Sequence, residues 1–358
     1  MNNKSRVKVI IITLVFITMI FNIILGRHPK IVEKYYSNSI NKFTRQALSF
    51  TTSIFPFSVA EFLVFFLLII LLLLLVTLII KIKTGGFLGQ LLNITVYLSV
   101  LYILFMLLWG FNYNRLSFDK IAGLKIQKSS EKELYNLCDS LIKRTNTLRT
   151  KVKENPQGVI IIPGGYKDIL QRAIKGYEKA SVIYPELSGK YGPPKPILLS
   201  EKMSYTGITG IYMPYTGEPN VNISIPDFDI AFTAAHEMAH QRGFAREDEA
   251  NYIAYLTCTM HPDADFQYSG LLLALINSMN ALADKNIVEY KLLTEKYSMG
   301  VRRDLLYNDN FWSKYKGSVQ KTANNVNDSY LKSNGQQEGV ESYGKMVDLL
   351  LAEYRKGY

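Results

Sequence analysis

Apolar positions are distributed along this chain in two unlike ways. Up to about residue 111 they form long unbroken runs; from 112 to 358 they recur at helix or strand spacing among charged residues. Three runs predict membrane-spanning helices: about 7–26 (VKVIIITLVFITMIFNIILG), about 57–80 (containing LLIILLLLLVTLII) and about 87–111 (ending LLWGF). Each supplies about 20 apolar residues, enough for an α-helix to cross a ~30 Å hydrocarbon layer. The middle run has no polar stripe, which a water-soluble helix of that length would need. Glu61 is the one acid within the three runs. Lys4, Arg6 and Lys8 precede the first run as in a signal peptide. Its apolar region exceeds the usual ~7–15 residues, however, and no small-x-small site precedes Arg27, so it reads as an uncleaved anchor.

Beyond residue 111 the periodicity predicts a helix over 131–153 and another over 166–180, the second following the break Pro163-Gly164-Gly165. Pro193, Pro194 and Pro196 mark a linker. Short β-rich runs follow at 196–200, 207–213 and 221–225, the last two joined across 214–220 as a hairpin. Pro226-Asp227 ends the third run and offers Asp227 as the amino-terminal cap of a helix over 228–242. The remainder reads as helical, interrupted near His261-Pro262 and Ser333-Asn334-Gly335. The expected fold is therefore a membrane-anchored α+β protein, with membrane region 1–111 and a mostly helical domain with a small β-sheet over 112–358. A segment of about 250 residues can bury one good core.

The formal net charge of +11 changes this picture little. Lysines and arginines are dispersed, and no basic run is interleaved with base-stacking aromatics, so no nucleic-acid partner is expected. The lipid bilayer is the expected partner of the juxtamembrane lysines. Lys4, Arg6 and Lys8 fall on the same side as Lys81 and Lys83 if three helices span, which places the amino terminus inside and 112–358 on the extracytoplasmic face. Arg27, Lys30, Lys34, Lys42 and Arg45, in the connecting stretch 27–56, argue the other way. Cys138 and Cys258 stand far apart and in no CxxC pair, so they form no zinc framework.

The candidate chemistry lies in His236-Glu237-Met238-Ala239-His240. On a helix, residues four apart share a face, so both imidazoles can reach one ion. Glu237 stands beside the first ligand, where it can act as general base on a water activated by the metal. Imidazole nitrogen suits Zn²⁺, which needs a third protein ligand and keeps a position open for catalysis. Gly243 can end the helix in a left-handed cap, and an acidic helix begins at Arg246-Glu247-Asp248-Glu249-Ala250-Asn251. Glu247 and Asn251 share a face: Glu247 can ligate while Asn251 holds a ligand imidazole from behind. Glu249 points elsewhere and is the alternative third ligand; acids are also what a helix amino terminus favours.

The motif HEMAH followed by E-x-x-A-N in a second helix resembles the gluzincin metallopeptidases, whose third ligand is a glutamate four before Asp or Asn. HEMAHQRGFAREDEANYIAYL, with TGITGIYMPYTGEPNVN before it and GVESYGKMVDLLL after it, is similar to an uncharacterised bacterial membrane family called "domain of unknown function 3810". That resemblance covers nearly the whole chain. It implies a multi-pass protein of a bacterial cell membrane with a zincin-like domain, and no substrate. Arg246 stands where metzincins carry a third histidine, and Gln241, Arg242 and Glu247 are unlike the membrane-embedded motif of site-2 proteases.

The expected activity is a zinc-dependent metallopeptidase hydrolysing peptide bonds, with Glu237 as general base and His236, His240 and Glu247 on the metal. A peptide or protein substrate could add as a strand along Gly210, Ile211 and Tyr212, and Tyr343 is a candidate oxyanion donor. The alternatives are a zinc-dependent amidase acting on cell-envelope peptides and a non-catalytic scaffold or sensor in which zinc staples two helices.

Overall fold

The computed structural model describes residues 3–337, 339 and 345–357. Tyr343 lies outside them. Helices of eight or more residues are numbered in chain order. The chain begins with α1 (Asn3–Gly26). A π-helical stretch, Val32–Ile40, leads into α2 (Asn41–Ser53), followed by α3 (Val59–Thr84) and α4 (Phe87–Leu108). Helices α1, α3 and α4 are long and apolar enough to cross a membrane. The third of these ends at Leu108 rather than 111, and a 3-10 turn, Gly110–Asn114, leads into the domain. Helix α4 packs against both α1 and α3. Its polar groups are satisfied inside the bundle: Gln90 donates to the Leu74 carbonyl at 3.0 Å and Tyr97 to the Leu67 carbonyl at 2.8 Å.

The stretch 27–56, which the sequence presents only as a connection, is largely helical. Helix α2 has an inverted pattern. Its buried positions are Asn41, Arg45, Ser49 and Thr52, while Phe43 and Phe50 are exposed. The buried polar side chains are bonded into the domain: Asn41 Oδ1 accepts from Asn112 at 2.9 Å, Thr52 donates to the Thr216 carbonyl, and Ser49 accepts the Gly192 N–H. Residues 29–53 and the region beyond 110 are therefore packed as one unit.

The domain continues with α5 (Glu131–Arg149), whose start carries a Ser130/Glu133 capping box. Next come α6 (Gly165–Arg172) and α7 (Ile174–Ile183), a split at Ala173 of the single helix expected over 166–180. Strands β1 (Lys195–Pro196), β2 (Gly210–Met213) and β3 (Glu218–Val221) form a sheet in the order β1-β3-β2. β2 is antiparallel to β3, and β1 is parallel to it. The expected strand at 221–225 starts and ends earlier because Asn222 turns the chain: its side chain accepts from the Ser224 N–H at 3.0 Å.

Helix α8 (Asp227–Gln241) runs through the middle, buried from Phe228 to Gln241, and packs on β2, β3, α9 (Glu247–Thr259) and α10 (Ala264–Lys285). Asp227 is not its cap. Pro226 holds that position, and the Asp227 carboxylate accepts the Ile162 N–H at 2.8 Å, fixing the helix start to a neighbouring segment. Helices α11 (Ile287–Thr294), α12 (Met299–Ser313), α13 (Ser318–Ser333) and α14 (Met346–Arg355) complete the domain. Cys138 and Cys258 are buried, unpaired thiols.

Arg45 ties α2 to α8. Buried, it donates to the carbonyls of Gln241 at 3.2 Å, Ser37 at 2.6 Å and Asn41 at 3.2 Å. Replacing it by alanine leaves the Gln241 carbonyl, at the end of α8, without its partner in a buried place and opens a void beside Ser37 and Asn41. Arg45→Ala should lower the stability of the full chain by about 2–4 kcal/mol, whereas Lys42→Ala, on the partly exposed side of the same helix, should stay within about 0.5 kcal/mol. Thermal unfolding of the detergent-solubilised protein checks the pair; equal losses would show that Arg45 does not hold the joint.

Candidate metal centre and cleft

His236 and His240 lie one turn apart on α8 with ring centroids 4.7 Å apart and nearly perpendicular planes. Glu247, in the first turn of α9, reaches between them. Its Oε2 is 3.2 Å from His236 Nε2 and 3.5 Å from His240 Nε2, yet makes no hydrogen bond of proper geometry. One donor atom from each of the three residues lies within 4.8 Å of the others, and all three residues are buried. The group could hold a metal ion.

Each imidazole is turned toward this point by a hydrogen bond at its far nitrogen. His236 Nδ1 is 2.8 Å from Asn251 Oδ1, and His240 Nδ1–H donates to the Phe244 carbonyl at 2.7 Å. A carbonyl can only accept, so His240 carries a proton on Nδ1, and Nε2 is the nitrogen left to turn a lone pair inward when the ring is neutral. The local fold explains how Phe244 arrives there. Gly243, at φ 83°, ends α8 in a Schellman motif, with Gly243 N–H to the His240 carbonyl at 2.7 Å and Phe244 N–H to the Ala239 carbonyl at 3.2 Å. A side chain at Gly243 would suffer the left-handed backbone and collide with the Arg45 guanidinium.

Glu249 does not join the group. It accepts the Phe118 N–H at 3.1 Å, and burial, with Asp248 adding to it, pushes its carboxyl up toward the protonated form. Burial also opposes charge on Glu247, but the His240 and His236 imidazoles outweigh it and hold that carboxyl below the usual range. Burial works against protonated His240 too, yet the Glu247 carboxylate wins and raises it to about 9. A metal takes imidazole in its neutral form, so a divalent cation displacing that proton would find two Nε2 lone pairs and the ionised Glu247 oxygen as its donor set.

Glu237 is buried, with Oε2 unpaired among the described residues. Burial raises its carboxyl to about 6 against the pull of the neighbouring imidazoles. Gly210 faces it so closely that a Cβ there would sit 2.6 Å from Glu237 Oε1, so only glycine leaves the acid room. These residues line a cleft of about 860 Å³. Its walls are the β2–β3 hairpin, including Gly210, Ile211 and Tyr212, and the Ala323–Tyr330 part of α13. Ile211 is exposed, while the Tyr212 ring is buried against Trp109 at 4.9 Å.

Trp109, Tyr113 and Tyr330 also line the cleft and have no counterpart among the sequence-derived candidates. The Trp109 ring meets His240 edge-on at 5.6 Å. The Tyr113 and Tyr330 hydroxyls are 3.2 Å apart, and both phenols are pushed up, first by burial and in part by the Glu247 charge. In sequence, Trp109 reads as the end of an apolar run, and nothing local marks Tyr330.

Metal analysis of the purified full chain separates the acids. Bound divalent metal should be lost in Glu247→Gln and His240→Ala and retained in Glu249→Gln; Asn251→Ala should weaken it by about 10–100-fold. Loss in Glu249→Gln with retention in Glu247→Gln would reverse the assignment.

No curated protein and no solved structure matches this chain. A family model does, over residues 36–351, which include α2, two of the three apolar helices, the hairpin and the metal-site helices. The chain belongs to the family described as "Protein of unknown function (DUF3810)".

Proposed function

We propose that this protein is a membrane-anchored zinc-dependent peptidase of the gluzincin type. The observation that carries the reading is Glu237: a buried carboxylate with an unpaired oxygen, next to the His236–His240–Glu247 group and at the wall of a cleft. A zinc ion that merely stapled α8 to α9 would have no use for that acid or for the cleft.

Zinc held by His236, His240 and Glu247 would supply Lewis acidity, easing deprotonation of a water and polarising a carbonyl. The chain's own groups do the rest. Glu237, raised by burial to about 6, is suited to take a proton near neutrality and hand it to the leaving amine. Asn251 and the Phe244 carbonyl hold the imidazoles in their ligating orientation. Among the described residues strand β2 pairs only with β3, so its other edge can receive an extended peptide at Gly210–Met213. Tyr113 and Tyr330 offer O–H donors to a developing oxyanion within electrostatic reach of Glu247.

The contacts of residues 29–53 with the domain put both on one face once α1, α3 and α4 cross the bilayer. Lys81 and Lys83 then share the other face with Lys4, Arg6 and Lys8, and we take that face as cytoplasmic because, of the opposing cations in 27–56, Arg45 and Lys42 are bonded into the domain. The catalytic domain is therefore extracytoplasmic.

Glu237→Gln should keep the metal and lose cleavage of a mixed peptide library by about 10²–10⁴-fold. Metal in both proteins with equal turnover, or turnover in neither, would remove the peptidase reading.

A further inference from the structure

Part of the cleft wall is membrane helix. Phe105, on α4, lines the cleft with Trp109 and Tyr113 beyond the helix end. Phe105 meets Tyr330 of α13 edge-on at 6.3 Å. Tyr215, in the turn between β2 and β3, donates its hydroxyl to the Leu101 carbonyl of α4 at 2.9 Å. The same sheet is bonded to the start of α3. Glu218 of β3 accepts the Val59 and Ala60 N–H groups at 3.2 and 2.8 Å, and Glu61 accepts those of Leu198 and Leu199 at 2.7 and 3.1 Å. No linker separates the hairpin from the spanning helices.

Helix length sets the depth. The 22 residues of α4 extend about 33 Å, scarcely more than the ~30 Å layer they would cross. None of that length is spare. Phe105 therefore lies about 4–5 Å below the helix end at Leu108, at the margin between acyl chains and headgroups, and Leu101, about 10 Å below it, lies among the acyl chains. Surfaces nearby suit such a margin. Ile40, Phe43, Phe50 and Ile54 form an apolar stripe 67–74% exposed along α2, between two spanning helices in the chain, and Leu198 is 63% exposed. A headgroup layer accepts apolar faces that water penalises.

We infer that the substrate is a peptide tethered to the same bilayer and cut a few residues from its anchor. The inference rests on the peptidase reading. β2 runs from Gly210, against Glu237, to the turn at Tyr215, against α4. A peptide added along that edge has one end at the bilayer margin and its reacting bond beside Glu237. The strand between them is four residues long, about 13 Å when extended, and Tyr215 stands in the turn just beyond it. The scissile bond therefore falls about five residues from the anchor. The chemistry recognised is an extended chain rising from an apolar anchor, whether that anchor is a transmembrane helix or an acyl group.

The test uses the full chain, zinc-loaded, in phosphatidylcholine/phosphatidylglycerol vesicles with peptides of mixed sequence. Each peptide is carried on a transmembrane helix, on a palmitoyl chain, on either anchor behind a Gly/Ser spacer of about 20 residues, or on no anchor. Cleavage about five residues from the anchor, at least about tenfold faster than for spaced or free peptide, is the expected result. Cutting restricted to the helix-borne or to the palmitoylated set identifies the source and upholds the inference. Equal cleavage of anchored, spaced and free peptides overturns it and leaves the peptidase reading intact. Cleavage of none, with metal bound, overturns both. A second measurement is independent of turnover. In Trp312→Phe, Trp109 is the remaining tryptophan, and lipids brominated near the headgroup end of the acyl chain should quench it more than deeply brominated ones. Absence of quenching by any brominated lipid would place the cleft above the bilayer and sink the inference.

Discussion

The carboxyl end of α8 is where the long apolar helices and the candidate metal centre are joined. A helix leaves its last carbonyls without partners, and here they lie inside the protein. Guanidinium groups receive them: Arg45 bonds the Gln241 carbonyl, Arg115 the Arg242 carbonyl at 3.2 Å, and Arg242 itself the Met238 carbonyl at 3.0 Å. Arg45 precedes the α3–α4 pair and Arg115 follows it, so the end of the metal-site helix is held from both sides of the membrane hairpin. Cations at a helix carboxyl terminus also complement its dipole. Three guanidinium groups so close together survive burial because their N–H groups find acceptors and the faces of Arg115 and Arg242 find aromatic rings. Glu33 pairs with Arg115 at 2.6 Å, Phe244 lies 3.7 Å beneath Arg115, and Tyr177 lies 3.8 Å beneath Arg242.

That joint explains which parts of the molecule are legible in the sequence. His236, Glu237 and His240 are readable because their spacing on one helix is local, and Glu247 with Asn251 because the same four-residue step recurs on the next helix. The long apolar helices are readable from run length alone. Helix α2 is not: its buried positions are polar and its exposed ones apolar, so a hydrophobic-face reading points it the wrong way. The inversion makes sense only once Asn41, Arg45, Ser49 and Thr52 are seen to bond carbonyls and side chains far along the chain. Trp109, Tyr113 and Tyr330 are hidden for a related reason. They reach the cleft from two distant segments, and no spacing within either segment records that meeting.

Close packing also accounts for two glycines that a motif search passes over. Gly210 is needed because Glu237 occupies the space a side chain would take, and Gly243 because the chain must turn left-handed beside Arg45. The first lets an edge strand approach the acid; the second returns the Phe244 carbonyl to His240. Both are conditions on the backbone around the ligands rather than on the ligands themselves.

An anchor that only attached a soluble enzyme to a membrane could be joined by a flexible tether, and the domain's interior would not depend on it. This chain is built otherwise. Trp109 directly follows the last residue of α4 and also abuts His240, while Glu218 belongs to the sheet and also caps α3. Side chains with two such duties cannot adjust to one partner without disturbing the other. The tilt and depth of α3 and α4 are thereby tied to the position of the hairpin and hence to the distance between β2 and Glu237. The placement of these apolar helices is then a geometric term in the cleft itself, on the same footing as the hydrogen bonds that aim the two imidazoles.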